Sequence, residues 1–167
     1  MKNLVALINK GLAVFTICLS AFLVFCVTWQ VLSRYILSSP STITDELARY
    51  LFMWVAMIGA AYTTGQHRHL AIDLLVMKLS GAKKQFVSFI IQIAIIAFAG
   101  IVLVYGGSTL VASTLESGQI TPALGWQMGY IYLCLPISGL LMIMYALVDI
   151  FSLFQPGSAN TELTDSH

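Results

Sequence analysis

Four stretches of this chain, residues 11–33, 50–66, 85–115 and 117–148, contain no Asp, Glu, Lys or Arg. That segregation of charge constrains the fold more than any other feature. A helix of about 20 apolar residues crosses the roughly 30 Å hydrocarbon core of a bilayer. A charge at the centre of such a span costs about 2.5–3.5 kcal/mol, and lipid cannot satisfy backbone donors that a helix satisfies internally. The expectation is an all-α integral membrane protein with four transmembrane helices. Because 59% of the 167 residues are hydrophobic and only 9% charged, no separate soluble domain is expected. Residues 1–154 are read as the membrane domain and 155–167 as a polar, disordered tail.

The positions of the positive charges predict the orientation. Lys2 and Lys10 precede the first run, and Arg68, Lys78, Lys83 and Lys84 lie between the second and third. Arg34 and Arg49 lie between the first and second, and no Lys or Arg separates the third from the fourth. Six basic residues against two place both termini in the cytoplasm by the positive-inside rule. The first run is too long for the apolar segment of a secretory signal, and no small-residue cleavage site closes it. It is expected to persist as the first helix. A net charge of +1 gives no reason to expect nucleic acid as a partner.

Along the chain, Ser38-Ser39-Pro40-Ser41 breaks the first helix. Thr42 or Thr44 can then cap the second, with Asp45 and Glu46 at the positive end of its dipole. Arg49 follows Asp45 by four positions and Glu46 by three, so the three can meet on one helix face. Gly59-Ala60-Ala61 offers a narrow patch for close helix packing. Residues 70–79 are apolar but too short to span, and Asp73 and Lys78 interrupt them. They are read as a short interfacial helix on the cytoplasmic side, with Arg68, His69, Asp73, Lys83 and Lys84 at the headgroups of the phospholipids. The third run is roughly 46 Å long if fully helical, so Gly106-Gly107 is expected as a kink or exit. Trp29 and Trp126 are expected at the outer interface. Gly125 and Gly129 form a G-x-x-x-G spacing, read as a packing face at the start of the fourth helix. Pro136 should kink that helix.

The spans hold no ionisable group near their centres, where a pump or intramembrane enzyme would need one. Asp149 and Glu116 sit at span ends, within expected reach of water or headgroups. Cys18, Cys26 and Cys134 lie inside spans as small hydrophobes, without metal-ligand spacing. His67 and His69 are two apart on one segment and outside the spans, which disfavours haem held between helices. No cofactor, no metal and no enzymatic activity are expected. The competing reading is a self-sufficient small four-helix transporter or channel acting as a homo-oligomer, and residues 11–33 lack the embedded carboxylate a cation exporter would want. The cluster Asp45, Glu46 and Arg49 is the place where charges converge at a membrane border. It reads either as a capped helix start or as a docking surface for a partner.

The order of several motifs resembles a known family. Trp29-Gln30-Val31-Leu32-Ser33-Arg34-Tyr35, Pro40 and Glu46-Leu47-Ala48-Arg49-Tyr50-Leu51-Phe52-Met53-Trp54 come first. Gly59-Ala60-Ala61, His69 and Ile72-Asp73-Leu74-Leu75 follow, then Thr121-Pro122-Ala123-Leu124-Gly125-Trp126, Tyr132 and Pro136. Together they resemble the small membrane subunit of tripartite ATP-independent periplasmic (TRAP) transporters over roughly residues 20–148. The resemblance implies a bacterial inner-membrane complex for organic-acid uptake. In it a periplasmic solute-binding receptor delivers substrate to a large, sodium-coupled, elevator-type membrane subunit. The small subunit would pack on and anchor the large one, without catalysis. The region of Asp45, Glu46 and Arg49 is expected to face the periplasm and to contribute to assembly or receptor docking.

Overall fold

A computed structural model describes residues 2–39, 41–66 and 82–153. These residues are helical apart from short connections. The elements are α1 (Lys2–Tyr35), α2 (Thr42–Gly65), α3 (Ala82–Phe98), a π-helical segment (Ala99–Gly106), α4 (Gly107–Glu116), α5 (Met128–Tyr132) and α6 (Cys134–Leu153). α3, the π segment and α4 run on without interruption as a third helix, and α5 and α6 form a fourth. α1 packs on α2, α2 also on α6, and α6 also on α3 and the π segment, while α5 lies against α4.

Three helical stretches are long and apolar enough to cross a bilayer: Ala6–Tyr35, Phe86–Glu116 and Met128–Phe151. α2 is helical over 24 residues but less apolar. Asp45, Glu46 and Arg49 crowd its first turns, and Tyr62-Thr63-Thr64-Gly65 ends it. α1 and α6 pack against it on two sides.

Close approaches occur where a side chain is missing. A Cβ built on Gly139 of α6 would lie 2.7 Å from Leu103 Cβ and 3.2 Å from the Ala99 carbonyl oxygen, both in the π segment. One on Gly107 would lie 2.9 Å from Leu135 Cβ and 3.1 Å from Pro136 Cδ. The third and fourth helices therefore meet backbone to backbone, the mode by which helices associate in lipid. Tyr145, almost fully buried, lies over Gly65, and its hydroxyl donates to Asn9 Oδ1, tying α1 and α2 to α6.

Several expectations need correction. The third helix does not exit at Gly106-Gly107: Gly106 closes the π segment, and α4 continues from Gly107 to Glu116. Gly125 and Gly129 share no helix face. Gly125 sits in a loop with φ +68° and nothing near its missing Cβ, a backbone state glycine adopts freely. Gly129 alone is a packing position, buried against Leu115. Neither Thr42 nor Thr44 caps α2: Ser41 holds the cap position, and the Thr44 hydroxyl donates back to its carbonyl at 3.1 Å. Asp149, near the end of α6, is covered by the chain itself rather than open to its surroundings. It is buried in α6, and Gln92 of α3 donates to it at 3.0 Å. Pro136, expected to kink the fourth helix, has no N–H to offer and follows an interruption at Leu133, between α5 and α6. The interfacial helix at 70–79 and the tail at 155–167 lie outside the described residues.

Candidate functional site

One end of the bundle gathers the last turns of α1, the first turns of α2 and the connection between α4 and α5. The connection is ordered by its own hydrogen bonds. Ile120 and Gln127 form an isolated antiparallel bridge. Thr121 N–H donates to the Trp126 carbonyl at 2.8 Å, Gly125 N–H to the Thr121 carbonyl at 3.0 Å, and Trp126 N–H to Thr121 Oγ1 at 2.9 Å. Thr121 is thus buried at the centre of a closed loop. The loop leaves the N–H groups of Ala123 and Leu124 directed at α2.

Glu46 receives them. Its Oε2 accepts Ala123 N–H at 2.7 Å and Leu124 N–H at 2.9 Å, and its Oε1 accepts the Tyr50 hydroxyl at 2.8 Å. Two adjacent backbone N–H groups converging on one oxygen form a small anion nest. Burial works to raise the Glu46 carboxyl, but the Tyr50, Ala123 and Leu124 donors outweigh it and hold the group below its ordinary value. The carboxylate is charged, buried and spent inside the chain.

Its neighbour faces outward. Asp45 forms an i,i+4 ion pair with Arg49 and also accepts from Gln30 of α1. The Arg49 hydrogen bond, helped by its charge, by Gln30 and by the nearby Arg34, keeps the Asp45 carboxyl below its usual range. The Arg49 side chain is 75% exposed. A shallow recess of about 90 Å³ opens between Gln30, Arg34, Ser41, Thr42 and Asp45. Ile120 and Trp126 stand exposed on the loop. The surface therefore presents a cation and two apolar side chains on a frame stapled by Glu46.

The sequence grouping of Asp45, Glu46 and Arg49 holds as a location but divides in role. Asp45 and Arg49 pair, while Glu46 turns inward. Gly59 meets nothing within 4 Å and Ala60 is exposed, so neither packs within this chain. Arg68, His69 and Asp73 lie outside the described residues, and Lys83 and Lys84 occupy the first turn of α3. Among the described residues no three His, Cys, Asp or Glu side chains gather as a metal site. Sequence reasoning missed the loop's grip on Glu46 and the close contacts at Gly65, Gly107 and Gly139. Pro122 and Gly125 within one short connection were the available sign of a tight loop.

Residues 23–155 match the family model described as tripartite ATP-independent periplasmic transporters, DctQ component. The sialic acid TRAP transporter small permease protein SiaQ of Vibrio cholerae is 29% identical over 155 residues, covering 93% of this chain and 88% of that protein. The C4-dicarboxylate TRAP transporter small permease protein DctQ of Rhodobacter capsulatus is 32% identical over 98 residues, 59% of this chain and 43% of that one. The isethionate TRAP transporter permease protein DctMQ of Oleidesulfovibrio alaskensis is 25% identical over 134 residues, 77% of this chain but 21% of that much longer protein. With the match extending from within α1 to beyond α6, the chain belongs to the DctQ family, the small permease component of TRAP transporters.

Proposed function

We propose that this chain packs against the large permease subunit of its transporter and anchors it in the bilayer, while a periplasmic receptor supplies the substrate. As a TRAP permease component it is a non-enzymatic subunit in the bacterial inner membrane. The observation that carries the proposal is the long relative DctMQ, whose matched region is a fifth of its length. There the small-subunit sequence shares one polypeptide with far more permease, so the two parts are held side by side. The absence of charges from the span centres agrees with a supporting role.

In this reading α2 also crosses the membrane, which makes four spans, and both termini are cytoplasmic. The Asp45–Arg49 end then faces the periplasm, within reach of the receptor. Gly59, where an added Cβ would meet nothing in this chain, and the exposed Ala60 pack against the large subunit, and phospholipids cover the apolar remainder. The cargo is an organic anion. That assignment is supported by the sialic acid, C4-dicarboxylate and isethionate named for the relatives. Sodium coupling and elevator motion, implied by the resemblance, belong to the large subunit.

The test is purification of the tagged chain from its native membrane in mild detergent, with mass spectrometry of what accompanies it. A much larger polytopic permease near one-to-one is expected. Recovery of the chain alone or as a homo-oligomer, in several detergents, overturns the proposal.

A further inference from the structure

Tyr105 is the last residue but one of the π segment, and it is 73% exposed. It stands eleven positions before Glu116 in the span Phe86–Glu116, about 16 Å along the axis. Half of a hydrocarbon core is about 15 Å. On the other side, thirteen positions away, Gln92 meets Asp149. The phenol therefore lies near mid-depth and points away from its own bundle.

The chain has seven tyrosines, and the other six explain what is unusual about this one. The hydroxyls of Tyr50, Tyr132 and Tyr145 donate to Glu46, Met128 and Asn9, and that of Tyr62 accepts from Gln66. Tyr35 and Tyr130 stand at the end of α1 and near the start of α5, at the outer edge of the bundle, where headgroups and water reach. The Tyr105 hydroxyl alone combines mid-depth with no hydrogen-bond partner among the described residues. Ser108 and Thr109, one turn on, fold their hydroxyls back onto the Tyr105 carbonyl at 2.9 Å each and need no one else. A hydroxyl in hydrocarbon without a partner is costly, and a phenol is too short to reach headgroups from the bilayer centre. By contrast, the exposed side chains around the middle of α1, such as Phe22, Val24 and Phe25, are apolar and suit lipid.

We infer that a transmembrane helix of the large permease subunit covers the Tyr105 face of the third helix and supplies a hydrogen-bond acceptor to its hydroxyl at mid-depth. This rests on the function proposed above and names a face of the interface. The acceptor is a side-chain or released backbone oxygen on that helix. Gly106, beside the phenol and exposed, lets its backbone come close.

The full chain, co-expressed with its large permease, tests this with a benzophenone photo-crosslinker placed by Tyr105→benzoylphenylalanine and, for comparison, Phe25→benzoylphenylalanine. Crosslinks to the large subunit from position 105 and not from position 25 are expected. In parallel, Tyr105→Phe should lower recovery of the detergent-washed complex by about threefold to tenfold, with the melting temperature of the isolated chain unchanged. If the large subunit co-purifies but position 105 marks only lipid or a second copy of this chain, the inference is overturned and the proposed function stands. Equal crosslinking from position 25, or an unchanged Tyr105→Phe recovery, overturns it too. If no large subunit co-purifies, both fall.

Discussion

Glu46 Oε2 accepts the backbone N–H of Ala123 at 2.7 Å across 77 positions of sequence. This contact, with its Leu124 twin, joins the start of α2 to the connection that leads into the fourth helix. Charge-assisted hydrogen bonds are the stronger kind, and a buried N–H left without an acceptor is destabilising. Replacing Glu46 with Ala should therefore free the loop while leaving the bundle folded. Hydrogen exchange is expected to accelerate at residues 119–127 and to stay slow across Leu103 and Tyr145. Uniform acceleration throughout the chain would count against a local latch.

The latch should respond to acid in one direction. The Glu46 carboxyl titrates below its ordinary 4.5 in the folded chain, so the folded state binds that proton less readily than the unfolded state. Its contribution is complete above about pH 4.5 and is lost as pH falls through the lower folded value. Melting temperature followed from pH 8 to 3.5 should turn down below about 4.5, and Glu46→Gln should lower the plateau and blunt that turn. A Glu46-dependent loss already present between pH 7 and 5.5 would contradict the assignment.

Glycine substitutions should separate by what the new methyl meets. Gly139→Ala drives a Cβ to 2.7 Å from Leu103 Cβ and 3.2 Å from a backbone oxygen, at a position with little room to yield. A loss of about 1–3 kcal/mol is expected. Gly59→Ala meets nothing and gains helix propensity of about 1 kcal/mol. The isolated chain should melt higher with Gly59→Ala and lower with Gly139→Ala. If Gly59 faces the large subunit, the same alanine should reduce complex recovery despite that gain. Unchanged recovery would remove Gly59 from the proposed interface.

Arg49 and Asp45 form an exposed i,i+4 pair, which adds little to stability. Arg49→Glu should thus barely move the melting temperature of the isolated chain. Its effect should appear in receptor-dependent uptake by the assembled transporter, and exceed that of Lys83→Glu at the opposite end. Equal and negligible effects at both positions would leave Asp45–Arg49 as a helix-start pair only.

What could be read from the sequence was local or collective. Four charge-free runs sufficed for the helices, four-residue spacing for the Asp45–Arg49 pair, and motif order for the family. The remainder depended on contacts between distant positions. Nothing near Glu46 distinguishes it from Asp45; only the loop at Thr121–Trp126, brought over by folding, turns one carboxylate inward and leaves the other outside. Gly125 and Gly129 have the spacing of a helix face, yet Thr121 closes the loop around Gly125 and delays the helix until Met128. Gly107 and Gly139 carry no mark until Leu135 and Leu103 are set against them.

The π segment has a consequence for comparing this chain with its relatives. Each residue of an α-helix turns the chain by about 100°, whereas the wider coil of Ala99–Gly106 turns it less per residue. The two halves of the third helix are therefore out of phase with a single helical wheel drawn through both. Removing one residue between 99 and 106 would not simply shorten the rod; it would swing α4 about its axis and aim Glu116 and the loop that grips Glu46 elsewhere. Gaps in that interval should accordingly be rare among relatives that keep the latch, and each one found should be accompanied by a change at Gly107 or Gly139.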